Sequence, residues 1–217
     1  AKEMTLGWFS GAARDALAEK LCVIPNGIDP AWLDGAPRTA PRDPVRVGFA
    51  GLMNERKHPL DALNAAHAAG GVMTACGDGS LREQFCAAMR PDDRYAGRIL
   101  GVDAMKAFYA DCDVLLVPSS AETFGMVYLE AMSQGVPVLY TKGQGFDGQF
   151  PEGEVGFAVP CGDVQAQAEA VKRVVQGYAE RSKRCVESAS RYAWPRVAGM
   201  WMELYQEIHN SFRNKRS

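Results

Sequence analysis

The chain has 217 residues, 47% of them hydrophobic, and a formal net charge of −2. A chain of that length buries about 70% of its unfolded surface on folding, so it needs neither disulfides nor a metal to hold it together. The near-neutral charge gives no electrostatic reason to expect nucleic acid or an anionic membrane as a partner.

The six cysteines, Cys22, Cys76, Cys86, Cys112, Cys161 and Cys185, are scattered, with no C-x-x-C pair. They are expected as reduced, buried thiols of a cytoplasmic protein. No apolar run reaches the roughly 18 residues of a membrane span, and no secretory signal opens the chain. Ala1 is not a methionine, which reads as a truncation or processing boundary.

In chain order, residues 1–20 read as a helical junction segment leading to the short apolar stretch Cys22-Val23-Ile24, stopped by Pro25-Asn26-Gly27. Residues 30–44, rich in Pro, Asp and Arg, read as a surface loop. An alternation follows. Strands are predicted at 45–50, 72–76, 98–100, 113–117, 136–140 and 156–159, and helices at 60–69, 81–89, 105–110 and 126–134. Further helices run from Asp163 to about Phe212. Strands alternating with helices predict an α/β fold with a Rossmann-like, doubly wound parallel sheet of about six strands. The predicted organisation is a junction segment at 1–20, a Rossmann-like domain at 21–195, and a C-terminal helix and basic tail at 196–217. In such sheets ligands bind outside the carboxyl ends of the strands, so the turns after them are where a site is expected.

The most informative of these stretches is Pro118-Ser-Ser-Ala-Glu-Thr-Phe-Gly-Met-Val-Tyr-Leu-Glu130. It leaves the end of a buried strand and enters a helix at Gly125, where the first backbone N–H groups have no intrahelical partner. Those donors and the helix dipole suit a phosphate, and glycine lets it approach. Glu122 lies just before the helix, and Glu130 lies roughly 7.5 Å into it. Two carboxylates able to accept hydroxyl hydrogen bonds thus flank a phosphate site, which is the layout of a nucleotide-sugar. The plainer reading of the same spacing is a helix-capping acid and a structural acid.

This stretch resembles the E-x7-E motif of retaining GT-B glycosyltransferases of the GT4 type (glycosyl transferases group 1). Val23-Ile-Pro-Asn-Gly-Ile-Asp29 is similar to the family's domain-junction signature, Gly51 to Lys57 to its first donor-domain turn, and Gly77-Asp-Gly-Ser-Leu-Arg82 to its G-D-G-P-L-R turn. Ile99-Leu-Gly101, Ser133-Gln-Gly-Val-Pro-Val138 and Tyr192-Ala-Trp194 follow in the same order, so the likeness covers roughly residues 10–210. The resemblance implies the C-terminal, donor-binding half of such an enzyme. Glu122 would contact the donor sugar, the amides of Phe124, Gly125 and Met126 the distal phosphate, and Glu130 the ribose. Lys57 would neutralise the diphosphate near Gly51. Backbone at Leu100, Gly101 and Val102 would meet the base, and Asp147 would lie beside the sugar. The family usually carries Arg directly after the glycine matched to Gly51, and Leu52 stands there. Arg cradles a phosphate with two parallel bonds and Leu does not, which leaves Arg56 as the substitute.

Gly143-Gln-Gly-Phe-Asp-Gly148 matches G-x-G-x-x-G literally, but it follows a late strand and opens no predicted helix, so dinucleotide binding is not expected. His58, His67 and His209 lack metal-ligand spacing. The stripe Val197, Met200, Trp201, Leu204 and Ile208 reads as a helix packing face.

The function expected is transfer of a sugar from a nucleoside-diphosphate sugar to an acceptor hydroxyl of a glycan or small molecule, with no cofactor and no metal. The acceptor-binding domain is missing from this chain, and any peripheral contact with the inner face of a membrane would fall to it. A non-catalytic nucleotide-sugar-binding subunit, a GT-B-like epimerase and a phosphorylase are the rival readings. For a phosphorylase the sequence offers no convincing lysine setting.

Overall fold

Apolar runs that end on glycine or proline become the strands of one parallel sheet in the computed structural model, which describes residues 5–214. The strands are β1 (Arg46–Ala50), β2 (Val72–Cys76), β3 (Arg94–Tyr95), β4 (Val114–Val117), β5 (Val138–Thr141) and β6 (Gly156–Val159). Their order is β3-β2-β1-β4-β5-β6, with every neighbouring pair parallel. The order reverses between β1 and β4, so the turns after those two strands diverge and leave a crevice at their carboxyl ends.

Helices cover both faces, and β4 and β5 are buried along their whole length. They are α1 (Gly11–Lys20), α2 (Pro59–Ala68), α3 (Arg82–Ala88), α4 (Val102–Ala110), α5 (Met126–Ser133), α6 (Val164–Val174), α7 (Tyr178–Ala189) and α8 (Trp194–Asn214). The core centres on Phe49, Met73, Leu115, Leu116, Tyr128 and Leu139, each at most 1% exposed.

Three expectations need correction. The strand predicted at Arg98-Ile-Leu100 is irregular backbone, and Leu100 is 72% exposed. The edge strand is the shorter β3, set by its pairing with Thr74 and Ala75 and not by an apolar run of its own. The loop at 30–44 is more than surface: Pro30–Trp32 forms a 3-10 turn that buries Trp32 against Tyr109, with ring centroids 6.0 Å apart. Farther along, the Arg38 guanidinium donates to the carbonyls of Tyr109, Cys112 and Gln134. It thereby adds a donor to carbonyls at and just beyond the carboxyl ends of α4 and α5. Finally, of the six free cysteines only Cys76, Cys112 and Cys185 are buried, while Cys22 and Cys86 are exposed.

The chain closes on itself where Ile28 bridges Ala193, the Ile28 amide donating to the Tyr192 carbonyl at 2.7 Å. Beyond it, α8 buries Val197 but leaves Met200, Trp201 and Ile208 between 36% and 43% exposed. Most of the stripe expected to pack is therefore open. Lys215, Arg216 and Ser217, the end of the expected basic tail, lie outside the described residues. Among the described residues no helix is long and apolar enough to cross a membrane.

One buried acid anchors the β2–β3 side of the sheet. Asp93 is almost fully enclosed, and its carboxylate accepts from the Met73 amide at 2.7 Å, the Arg90 amide at 2.6 Å and meets His67 Nε2 at 2.7 Å. Breaking a buried charged network by removing one partner costs about 3–5 kcal/mol. Asp93→Ala is expected to lose that much, read as a drop in urea midpoint at unchanged slope.

Candidate functional site

The crevice between the turns after β1 and β4 is fixed by backbone. The Ser120 amide donates to the Arg56 carbonyl at 2.8 Å, so the turn that leaves β4 is bonded to the turn that leaves β1. Lys57 ends a 3-10 turn capped by Asn54, whose side chain accepts from the Lys57 amide at 3.1 Å. This aims Lys57 across the crevice, where its Nζ donates to Glu122 Oε2 at 2.5 Å. Both side chains are largely enclosed, 15% and 11% exposed, so the pair is screened far less than a surface ion pair.

Glu122 is held on three further sides. Its amide donates to Gln144 Oε1 at 2.9 Å, its carbonyl accepts from the Gly145 amide at 2.9 Å, and its Oε1 accepts from the Thr123 amide at 3.1 Å. The G-x-G-x-x-G segment thus has a structural use. Its backbone braces the Glu122 turn, and it opens no helix. Asp147 in this segment accepts from the Gly143 amide at 2.7 Å. It also lines a cavity of about 720 Å³ with Asn26, Thr123, Phe124 and Tyr192.

Gly125 starts α5 with φ 78° and ψ 64°, in the left-handed region. A Cβ there would sit 2.3 Å from the Tyr128 ring, and that ring is fixed by its hydroxyl donating to the Val117 carbonyl at 2.7 Å. The turn therefore requires glycine. Among the described residues no group accepts from the amides of Phe124, Gly125 or Met126. Three donors at the positive end of a helix are thus left without a protein acceptor, a setting that favours an anion. Phe124 is half-buried against Tyr192, with ring centroids 6.1 Å apart.

Glu130 points elsewhere, towards the end of β2. Its Oε2 accepts from the Tyr109 hydroxyl at 2.9 Å. Burial raises its carboxyl pKa, and the Tyr109 bond opposes that rise. Burial, helped by the Glu130 charge, pushes the nearby Cys76 thiol up to about 12, so it stays protonated. Sequence reasoning missed Tyr109 and Gln144, because each meets its acid across the fold. The only local hint for Gln144 was its place in a glycine-rich turn after a strand.

The remaining expected residues lie around the same edge. Gly51, with Leu52, lines a second hollow of about 600 Å³ at the ends of β1 and β2. Gly101, with φ 88°, opens α4 and Val102 is its first residue. The Arg56 guanidinium is exposed and makes no ion pair among the described residues, so only its carbonyl ties it to the crevice. His58 caps α2 in the left-handed conformation and meets Asp61 at 2.9 Å. Among the described residues no three His, Cys, Asp or Glu side chains are grouped to hold a metal.

Comparison with known proteins bears on the family and the fold. Residues 93–192 match the family described as glycosyl transferases group 1. Over 214 residues the chain is 31% identical to a phosphatidyl-myo-inositol mannosyltransferase of Mycobacterium leprae, covering 91% of this chain and 56% of the relative. It is 27% identical to a D-inositol 3-phosphate glycosyltransferase of Saccharomonospora viridis, covering 92% and 53%. The chain thus spans about half the length of these relatives. Among solved structures, HepE of Anabaena in complex with UDP and glucose superposes with a TM-score of 0.70 at 22% identity, covering 88% of this chain and 58% of that one. Sucrose-phosphate synthase of Thermosynechococcus elongatus gives 0.69 at 22% identity, covering 93% and 58%. Residues 93–192 thus match the glycosyl transferases group 1 family, and the parallel sheet gives the described chain the fold of a GT-B C-terminal domain.

Proposed function

We propose that this domain binds a nucleoside-diphosphate sugar and acts as the donor half of a retaining glycosyltransferase, passing the sugar to an acceptor hydroxyl. The observation that carries this reading is the trio of open amides at Phe124, Gly125 and Met126 beside the Lys57–Glu122 pair. The names of its longer relatives, a mannosyltransferase and a glycosyltransferase, favour the same chemistry. Acceptor binding falls to a second domain of the kind those relatives have room for.

In this reading the distal phosphate seats on the three amides and draws Lys57 from Glu122. The sugar hydroxyls then replace Lys57 on the Glu122 carboxylate. As the bond to the anomeric carbon breaks, charge grows on the departing diphosphate. Lys57 and the helix-start amides are already in place to stabilise it, so no metal ion is called for. Arg56, at the mouth of the crevice, adds positive charge. Glu130, on the other side, takes the ribose hydroxyls.

The test is a thermal-shift panel of UDP, GDP, ADP and their sugars. A cognate ligand at 100 times its Kd is expected to add about 2.7 kcal/mol of stability. No shift with any of them would remove the reading. The Lys57–Glu122 pair makes a second expectation. Glu122→Gln frees Lys57, so calorimetry should find the bare nucleoside diphosphate bound several-fold more tightly, while the sugar-bearing form loses its advantage. Weaker binding of the bare diphosphate would contradict the exchange of partners.

A further inference from the structure

The hollow at the ends of β1 and β2 is walled by Gly51, Leu52, Gly77, Asp78, Gly79 and Arg98, and it measures about 600 Å³, within the usual range for small-ligand sites. Its floor is tight backbone: a Cβ on Gly77 would lie 1.8 Å from the Gly51 carbonyl oxygen. Leu52 offers the hollow a half-exposed apolar side. Its one acid, Asp78, is engaged, accepting from the Gly79 amide at 2.9 Å and facing Arg82 at 3.7 Å. Arg98 is different. Among the described residues no carboxylate lies within ion-pairing distance of its guanidinium and no group accepts a hydrogen bond from it. A fork of donors thus faces a hollow with an apolar wall, which suits a flat heterocycle with paired acceptors better than it suits water.

The position of the hollow says which part of a ligand reaches it. Glu130 is tied to Tyr109 on α4, and α4 begins at Val102, four residues after Arg98. A nucleotide laid with its diphosphate on the Gly125 amides and its ribose on Glu130 extends its base past Glu130, away from β4. That direction leads to the β2–β3 side of the sheet edge, where the hollow lies.

Resting on the donor-site reading above, we infer that Arg98 is the base-selecting residue and that it selects guanine. Guanine presents O6 and N7 side by side as two acceptors, which a guanidinium fork engages together. Adenine pairs its N7 with a donor amino group on the same edge, and uracil has no such adjacent pair of acceptors. Leu52 packs against the face of the base.

The test is calorimetry of GDP, UDP and ADP with the whole chain, its Arg98→Ala variant and its Arg98→Lys variant. Arg98 is exposed, so both variants are expected to melt as the parent does. The parent is expected to bind GDP at least 10-fold more tightly than UDP or ADP. Arg98→Ala should lose that advantage, GDP weakening about 10-fold or more and UDP less than 3-fold. Arg98→Lys keeps the charge but not the planar fork, and should regain only part of the guanine preference. Equal losses for all three nucleotides in Arg98→Ala, with recovery in Arg98→Lys, would make Arg98 a plain phosphate cation and overturn the inference. So would a parent without preference for GDP. If the parent binds none of the three, the donor-site reading itself has failed, a result distinct from binding without selection.

Discussion

Glu130→Gln is expected to abolish most of the stabilisation that a nucleoside diphosphate confers, with the unliganded domain at least as stable as the parent. The substitution keeps the shape and an acceptor for the Tyr109 hydroxyl, which now reaches Oε2 at 2.9 Å. It removes a charge that burial opposes, so the unliganded fold loses nothing. On the proposed reading, what it takes away is the ionised acceptor for two ribose hydroxyls. Hydrogen bonds to a charged group contribute about 1.5–3 kcal/mol each. A loss of about 2.7 kcal/mol raises Kd roughly 100-fold. At a ligand concentration that gave the parent about 2.7 kcal/mol, the variant then gains only about 0.4 kcal/mol. A variant that responds as strongly as the parent would remove Glu130 from the site.

The same residue sets a pH dependence. The Glu130 carboxyl titrates above the ordinary carboxylate value because it is buried. Below its raised pKa it is protonated and donates to the ribose where it should accept. Nucleotide affinity should therefore fall as the pH drops through that raised value, and the acid limb should vanish in Glu130→Gln. The unliganded fold shows the opposite sign. Between the unfolded and the raised folded pKa the native state holds the extra proton, so this group's contribution to stability declines as the pH rises through that window.

Gly125→Ala is expected to lose both stability and binding. Its φ of 78° lies where side chains are strained, which costs about 1–3 kcal/mol for a non-glycine residue. The new Cβ would also sit 2.3 Å from the Tyr128 ring. Tyr128 is 1% exposed and hydrogen-bonded to Val117, so its displacement adds about 1–3 kcal/mol of overpacking. A total of about 2–6 kcal/mol should appear as a lower urea midpoint, and nucleotide response should fail even in the folded fraction because the amides no longer point together. A variant within about 0.5 kcal/mol of the parent would mean that α5 starts another way.

The strands that form the middle of the sheet were legible because burial on both faces leaves continuous apolar runs ended by glycine or proline, as at Val114–Val117 before Pro118. The edge was not. Arg94–Tyr95 is a strand only because Thr74 and Ala75 pair with it, and the apolar Ile99 and Leu100 drew the prediction four residues downstream. The site divides the same way. Glu122, Gly125 and Glu130 could be proposed from the sequence because one turn and one helix carry them. Tyr109 and Arg98 enter only through tertiary contact with no local pattern to announce them, and Gln144 had only its glycine-rich turn as a hint. Trp32 and Arg38, hidden in a stretch whose composition reads as loop, belong to the same class.

The most direct measurement is a crystal structure of the domain soaked with GDP or UDP. The distal phosphate should lie about 2.7–3.1 Å from the amide nitrogens of Phe124, Gly125 and Met126, with Lys57 turned from Glu122 towards it and the ribose on Glu130. A nucleotide seated in the cavity beside Val23 and Tyr192, with the Lys57–Glu122 bond intact and the three amides facing only water, would contradict the account.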